Sequence, residues 1–208
     1  MEIERPIICL VTNGLADAAG TLLRVREAAA AGVDLIQIRE PGLPDRALLD
    51  LTRRACDAAR DSRARIVVND RLDVALAAGA HGIHLRAGSL SASRVRARAG
   101  ETFLIGRSVH QLEEAVAAER EGGCDYLFFG TVFPSPSKPE GHRIAGLDAL
   151  REACDRVRVP VVAIGGITRE RAAAVGAAGA AGIAAISLFD DVGGIRSTVE
   201  FVRRSFDT

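Results

Sequence analysis

The chain has 208 residues with 27 basic and 27 acidic side chains, so it carries no net charge at neutral pH. That balance excludes the broad positive field with which proteins collect nucleic acids or anionic membranes, and we expect neither as a partner. Hydrophobic residues make up 48 % of the chain and tryptophan is absent. This composition and length predict one soluble domain over residues 1–208 with an aliphatic core.

The cellular compartment is suggested by two further properties of the sequence. The first residues do not form a basic-then-apolar signal sequence, and no apolar run approaches the length of a membrane span. The four cysteines are far apart and lack the CxxC spacing of a zinc site, so we expect buried, reduced thiols. We therefore predict a cytoplasmic protein.

Short segments rich in Val, Ile and Leu recur along the chain and predict eight β-strands. These are 7–12, 35–38, 65–69, 82–85, 103–106, 126–130, 161–165 and 183–187. Helical periodicity predicts helices near 20–31, 45–60, 71–79, 91–99, 111–121, 147–156, 169–178 and 192–204. This alternation predicts an α/β fold, a single (β/α)8 TIM barrel, because parallel strands covered by helices are apolar throughout. A doubly wound open sheet is the alternative, although no GxGxxG dinucleotide motif follows the first strand.

The predicted strands end in polar residues or glycines, and the carboxyl ends of barrel strands carry the active site. These residues are Thr12, Gln37, Arg39, Asn69, Asp70, His84, Ser108, His110, Thr131, Gly165, Gly166 and Ser187. The Gly165-Gly166 pair, together with Ser187, predicts a phosphate cradle built from backbone amides. The alternative is a tight turn in which Thr168 caps the next helix.

A second anionic pocket is predicted near the ends of the second and third strands. Arg39 can hold phosphate oxygens through its guanidinium, and Asp70 beside Asn69 leaves room for Mg²⁺. Lys138, the only lysine of the chain, lies in the proline-rich segment GTVFPSPSKP (130–139) and would join this pocket. The alternatives are an ion pair of Arg39 with Glu40, Asp45 or the neighbours of Arg46, a helix-capping role for Asp70 and a surface turn around Lys138.

Histidines supply the candidates for proton transfer. His84 and His110 could act as a general acid or base near neutral pH, or be structural. His81 and His142 are expected to be exposed. Because no Ser-His-Asp or HExxH arrangement occurs, nothing indicates hydrolysis.

Seven motifs occur in the order and spacing of one family. They are QIRE (37–40), VND (68–70), GIHL (82–85), GRSVH (106–110), GTVFPSPSKP (130–139), VVAIGGIT (161–168) and AAIS (184–187). Over nearly its whole length the chain thus resembles the thiamin phosphate synthase and thiazole tautomerase (TenI-like) superfamily of TIM barrels. For a synthase, the resemblance implies a transferase of thiamin biosynthesis that joins hydroxymethylpyrimidine diphosphate to thiazole phosphate and releases pyrophosphate. It also implies Mg²⁺ as cofactor and small phosphorylated molecules as substrates.

The resemblance implies roles for individual residues as well. Contacts to the pyrimidine diphosphate would come from Gln37, Arg39, Asn69 and Lys138, with Asp70 as the Mg²⁺ ligand and Ser108 against the pyrimidine. The thiazole phosphate would be held by Ser135, Ser137, Gly166, Ile186 and Ser187, with Gly165 in the same cradle. The catalytic candidates are Arg39, Lys138 and His110.

Three positions depart from the pattern of the superfamily. Pro41 stands where synthases usually carry a lysine, and Ser89 replaces a second metal-binding aspartate. Thr131 stands where the tautomerase branch can use a histidine. The first two departures remove a cation and a metal ligand. Arg86, which follows the fourth strand, and Arg143 are candidates to replace that cation.

Two alternative functions therefore stand beside the synthase. One is a metal-independent thiazole tautomerase that isomerises a carboxythiazole phosphate, with His110 or His84 moving the proton. The other is a non-catalytic barrel that binds thiazole phosphate and regulates a partner. The sequence is also compatible with a homodimer.

Overall fold

Strands and helices alternate along the residues that the computed structural model describes, which are 3–14, 17–135, 139, 141–190 and 194–206. The strands are β1 (Ile7–Val11), β2 (Leu35–Ile38), β3 (Arg65–Asn69), β4 (Gly82–Leu85), β5 (Leu104–Val109), β6 (Tyr126–Phe129), β7 (Val161–Ile164) and β8 (Gly182–Ala185). The helices are α1 (Ala18–Ala31), α2 (Asp45–Ala59), α3 (Leu72–Ala78), α4 (Ala92–Ala99), α5 (Leu112–Glu121), α6 (Gly146–Arg156), α7 (Arg169–Ala177) and α8 (Ile195–Phe206), and a short 3-10 helix, Ser187–Phe189, follows β8. All eight predicted strands and helices are confirmed, with ends that differ by a few residues.

The strands form a closed barrel in chain order, and every neighbouring pair is parallel. β8 closes the barrel on β1, where Ile7 is opposite Gly182 and Leu10 is opposite Ala185. The predicted (β/α)8 barrel is therefore confirmed, and the open doubly wound sheet is excluded. Helices cover the barrel on its outer side, which explains why strands such as β1 and β2 are buried at every residue.

Alternate residues of each strand face the barrel interior. In β1, Ile7, Cys9 and Val11 belong to the interior cluster, whereas Ile8 and Leu10 pack with the residues beneath the helices. By the same alternation, the interior positions near the carboxyl ends of β2, β3, β4 and β5 are Gln37, Asn69, His84 and Ser108. The predicted polar residues thus occupy the interior-facing positions of their strands, near the barrel mouth.

Aromatic rings fill the middle of the barrel. Tyr126 and Phe128 of β6 are fully buried, and their ring centroids lie 5.2 Å apart. Gly106 of β5 leaves the space for this tyrosine, because a Cβ atom at position 106 would lie 2.2 Å from the Tyr126 ring. The interior is therefore a packed floor beneath the polar residues and not a pore.

The opposite end of the barrel is tied together by one buried carboxylate. Asp34, which is 2 % exposed, accepts a hydrogen bond from the backbone N–H of Ile8 and pairs with Arg63 at 2.8 Å and Arg203 at 3.1 Å. Burial raises the pKa of Asp34, while the Ile8 N–H and the two arginines act in the opposite direction. This cluster joins β1, β2 and α8 far from the predicted site, so its role is structural.

The four cysteines are free. Cys9 is fully buried, as expected, whereas Cys56, Cys124 and Cys154 are only partly covered. Burial raises the pKa of each of these three thiols to about 11, so thiolate is scarce at neutral pH and none is a reactive nucleophile. Among the described residues, no helix is both long enough and apolar enough to cross a membrane.

Candidate active site

The carboxyl ends of β1, β2 and β3 are joined by hydrogen bonds of polar side chains. Thr12 Oγ1 accepts from the backbone N–H of Arg39 at 2.8 Å, and Gln37 Nε2 donates to Asn69 Oδ1 at 3.2 Å. Gln37 is only 2 % exposed, so its contact with Asn69 fixes a buried amide in one orientation. Two of the predicted diphosphate contacts are thus brought together by the register of neighbouring strands.

Arg39 is exposed at the same edge of the barrel. In the described part of the chain its guanidinium forms no salt bridge, and the alternative pair with Glu40 is not found. Glu40 is instead buried, with one carboxylate oxygen that has no hydrogen-bond partner there. Arg39 is therefore able to meet an anionic ligand without first breaking an ion pair.

Asp70 has an unusual backbone conformation directly after β3. Its φ is 58°, in the left-handed region that residues with a side chain seldom adopt, although aspartate tolerates it better than most. The backbone N–H of Asp70 donates to the carbonyl oxygen of His84 at 2.9 Å, which holds the residue beside β4. Asp70 does not cap α3, because the residue at the cap position is Arg71, so the capping alternative is wrong.

Both carboxylate oxygens of Asp70 are already engaged. Arg86 binds Oδ2 through Nε at 2.7 Å and Nη2 at 2.6 Å, and the Ser89 hydroxyl donates to Oδ1. No group of three or more His, Cys, Asp or Glu side chains that could hold a metal ion occurs in the described parts of the chain. A divalent cation would have to compete with Arg86 and Ser89 for the Asp70 oxygens, and Asp70 as a Mg²⁺ ligand stays a prediction.

His84 is buried beneath this edge, with its ring stacked on Tyr126 and 4.1 Å from the Phe128 ring centroid. Its Nδ1 shares a hydrogen bond of 3.3 Å with the Tyr126 hydroxyl, and its Nε2 shares one of 2.9 Å with Ser108 Oγ. Burial lowers the pKa of His84 from 6.5 to about 3, while Asp70 acts in the opposite direction. His84 is therefore neutral at physiological pH and positions the Ser108 hydroxyl.

The lowered pKa of His84 predicts a pH dependence of stability. The unfolded chain binds a proton at His84 below about pH 6.5 and the folded chain does not, so this contribution is complete above pH 6.5 and is lost as the pH falls toward 3. One such group changes the free energy of unfolding by up to about 1.4 kcal/mol per pH unit. Urea denaturation of the wild type and His84→Gln at pH 7 and pH 5 should show a steeper acid loss in the wild type. Equal losses would contradict the assignment.

His110 lies at the end of β5, where it is exposed. Its ring Nδ1 donates to the carbonyl oxygen of Gly130 at 2.5 Å, and its backbone N–H donates to the Glu114 carboxylate at 2.7 Å. When the ring is neutral, this leaves Nε2 as a proton acceptor. Of the two predicted acid–base candidates, His110 is thus the one with access to solvent and, within the described residues, a ring nitrogen that has no hydrogen-bond partner.

The predicted exposure of His81 and His142 is wrong, because both are half-buried. His81 Nδ1 accepts from the backbone N–H of Ile66 at 3.0 Å, a structural role. His142 Nε2 lies 3.0 Å from Thr131 Oγ1, so the loop after β6 returns a histidine to the end of that strand. Sequence reasoning missed this contact because the two residues are separated by the length of the loop.

The phosphate cradle predicted after β7 has tight glycine geometry. The φ angles of Gly165 and Gly166 are 96° and 63°, and the backbone N–H of Phe133 donates to the Gly165 carbonyl oxygen at 3.1 Å. Thr168 is the cap residue of α7, yet its side chain accepts no hydrogen bond from the helix. The glycines thus let the loops after β6 and β7 approach closely, and the first turn of α7 lies beside them.

Arg171 is a residue at this cradle that the sequence did not single out. Its Nη1 donates to the carbonyl oxygen of Gly166 at 2.6 Å, and its guanidinium lies 4.7 Å from the centroid of the Phe133 ring. One positive side chain therefore joins the two loops of the cradle. No sequence signal distinguishes it, because Arg169 precedes it in the same helical turn.

The remaining predicted residues lie on the same edge or beyond the described residues. Ile186 packs against the interior cluster, and exposed Ser187 begins the 3-10 helix after β8. Ser135 is half-buried in the loop after β6. Ser137 and Lys138 lie outside the described residues.

Comparison with known proteins connects this arrangement to one family. A family model described as thiamine monophosphate synthase (TMP-TENI) matches residues 8–189. The curated thiamine-phosphate synthase of Methanoculleus marisnigri is 43 % identical over 178 residues, which are 86 % of this chain and 84 % of that protein. The one from Moorella thermoacetica is 41 % identical over 178 residues, with the same shares of the two chains.

Solved structures agree with the sequence comparison. The thiamine phosphate pyrophosphorylase from Pyrococcus furiosus superposes with a TM-score of 0.81 at 33 % identity and covers 96 % of this chain and 95 % of that one. The structure titled "Native KDPGal structure", with a TM-score of 0.75 at 19 % identity over 100 % of this chain and 99 % of that one, is similar in fold alone. The family model covers most of the barrel, and the curated relatives align with this chain over most of their own length. The chain therefore belongs to the thiamine monophosphate synthase family.

Proposed function

We propose that the protein is a thiamin phosphate synthase, a transferase that joins hydroxymethylpyrimidine diphosphate to thiazole phosphate and releases pyrophosphate. The observation that carries the proposal is a barrel mouth with polar side chains at one edge and a glycine pair at another, which we propose as two anion-binding edges. Gln37 and Asn69 lie at the carboxyl ends of β2 and β3, and Arg39 follows β2, whereas Gly165 and Gly166 follow β7. In a closed barrel of eight strands these edges face each other, so two phosphorylated substrates can meet above the Ser108 hydroxyl.

The reaction breaks the bond between the pyrimidine methylene carbon and the diphosphate oxygen. The electron pair leaves with pyrophosphate, and the thiazole nitrogen supplies the pair for the new carbon–nitrogen bond. Negative charge therefore accumulates on the leaving group, and fixed positive charges stabilise the transition state. Arg39 and Lys138 are proposed to provide such charge, while Gln37 and Asn69 orient the diphosphate.

The other proposed roles follow the two edges. Ser108, held by neutral His84, would contact the pyrimidine. The thiazole phosphate would be held by backbone amides at Gly165 and Gly166, by Ile186 and Ser187, and by Ser135 and Ser137. For a synthase the resemblance implies Mg²⁺, with Asp70 as its ligand.

A thiazole tautomerase is the second candidate, and one contact favours it. His142 lies against Thr131, the position at which the tautomerase branch can use a histidine, so an imidazole is present there although the chain position is different. Together with the available Nε2 of His110, this gives the same mouth two groups for proton transfer. Deuterium incorporation into a carboxythiazole phosphate, measured by NMR, would reveal this activity.

The synthase proposal predicts that the two purified substrates give thiamin phosphate and pyrophosphate in equal amounts. The measurement is product formation by chromatography together with a pyrophosphate assay, in Mg²⁺ and in EDTA. Thiazole phosphate that binds without any product would contradict the synthase. Deuterium exchange would then indicate the tautomerase, and binding without exchange would indicate the regulatory barrel.

The expected surroundings of the protein follow from the same reaction. Its partners are small phosphorylated molecules, and the cytoplasm is the proposed compartment. A homodimer is proposed as the assembly, which light scattering of the purified protein would test.

A further inference from the structure

One ion pair lies where the loops after β3 and β4 meet at the barrel mouth. Arg86 holds a single oxygen of Asp70 with two of its nitrogens, at 2.7 Å and 2.6 Å. The other oxygen of Asp70 accepts the Ser89 hydroxyl, and the same hydroxyl oxygen accepts the backbone N–H of Arg86 at 3.2 Å. The three residues therefore form one connected cluster at the end of the two strands.

Exposure within this cluster is uneven. The Asp70 side chain is 17 % exposed, whereas the Arg86 side chain is 72 % exposed. A guanidinium has more N–H donors than Asp70 uses, so the remaining donors of Arg86 are available toward the solvent side of the mouth. The carboxylate thus serves as an anchor, and the side chain that it presents to a ligand is cationic.

The charges of these three residues determine which ligand the cluster can bind. Asp70 is its one carboxylate, and Ser89 is neutral. A divalent cation at Asp70 would have to displace Arg86 or stand beside it, and two cations of this kind repel at contact distance. A phosphate group is attracted to Arg86 instead, because its negative charge is opposite and its oxygens match the donors of a guanidinium.

We propose that Arg86, anchored by Asp70 and Ser89, is the cation that binds the diphosphate group of the substrate and its pyrophosphate product, in place of a metal ion held by Asp70. The inference rests on the proposed synthase reaction, because that reaction supplies the diphosphate. Arg86 then stabilises the departing charge at the edge that Gln37, Asn69 and Arg39 also border.

The test is calorimetric titration of inorganic pyrophosphate into the full chain, in EDTA and again in Mg²⁺. The wild type should bind in EDTA with an affinity within about threefold of that in Mg²⁺. A threefold change in affinity corresponds to less than half the free energy of one charged hydrogen bond. Arg86→Gln should bind at least about tenfold more weakly in EDTA, because it loses such bonds. Arg86→Lys should lie between the two, since it keeps the charge and loses the fork.

Arg60→Gln is a matched control. Arg60 is 73 % exposed, close to the exposure of Arg86, and it also pairs with an aspartate, Asp57. It follows the carboxyl end of α2, at the barrel end opposite the mouth. Pyrophosphate affinity should be unchanged in this variant, and thermal unfolding of all variants checks that they fold.

A double variant reverses the expected preference for metal. Arg86→Ala with Ser89→Asp removes the guanidinium and adds a second carboxylate, so pyrophosphate should bind only when Mg²⁺ is present. A wild type that needs Mg²⁺ to bind pyrophosphate, or an Arg86→Gln variant that binds as the wild type does, would overturn the proposal. Failure of the synthase itself would look different, since pyrophosphate would bind through Arg86 while the two substrates gave no thiamin phosphate.

Discussion

Replacing Lys138 by alanine should lower kcat/KM for thiamin phosphate formation by about 100-fold or more, the usual cost of removing one preorganised charge from a developing anion. The prediction rests on the sequence, since Lys138 lies outside the described residues. In a chain whose other basic residues are all arginines, the single lysine occurs in the proline-rich segment that matches the superfamily. Steady-state pyrophosphate release measures the loss, and thermal unfolding should not change.

The single lysine also provides an independent measurement. Amine-selective acylation can modify only Lys138 and the terminal amine, so mass spectrometry reports directly on this side chain. Pyrophosphate should protect Lys138 from acylation, and Lys138→Arg should retain more activity than Lys138→Ala because it retains the charge. Full turnover by Lys138→Ala with normal thermal stability would refute the role of this residue.

Replacing Gly166 by alanine should weaken the binding of thiazole phosphate by about 100-fold, since the substitution combines backbone strain of 1–3 kcal/mol with a displaced loop. The φ of Gly166 is 63°, and a Cβ atom there would lie 2.4 Å from the carbonyl oxygen of Pro134 and 2.8 Å from that of Phe133. Neither backbone atom can yield without moving the loop after β6. The KM for thiazole phosphate and calorimetric affinity measure the effect.

Gly176→Ala is the control for this substitution. Gly176 lies within α7 and outside the left-handed region, and the nearest atom to a Cβ there would be 3.4 Å away, an ordinary contact. Alanine at a helical position is favourable, so this variant should bind thiazole phosphate normally and unfold at the same or a higher temperature. An unchanged KM in Gly166→Ala would mean that the cradle does not hold the phosphate.

Much of the fold could be predicted because the signal is carried by each strand separately. A segment such as LIQI in β2 is apolar on both faces, since parallel strands are buried between the interior and the helices. The neighbouring positions of Gln37 and Asn69 also follow from sequence, because adjacent strands place their carboxyl ends at one edge. The local periodicity of the sequence was therefore enough to predict which polar residues meet at the mouth.

The contacts between loops could not be predicted in this way. The salt bridge between Asp70 and Arg86 depends on a left-handed backbone conformation at Asp70, and no pattern in the sequence predicts that conformation. The contact between His142 and Thr131 depends on the path of the loop after β6. Both contacts join residues in loops, which lack the periodic pattern of strands and helices. Only the three-dimensional structure therefore reveals them.

The packing of Gly106 against Tyr126 links two positions on neighbouring strands. A larger residue at 106 would fit only with a smaller one at 126, because the tyrosine ring already occupies that volume. The same ring contacts His84, which holds the Ser108 hydroxyl. The floor beneath Ser108 is therefore set by a pair of residues that must change together. In the proposed synthase, exchanging their sizes should alter which pyrimidine substituents the mouth admits.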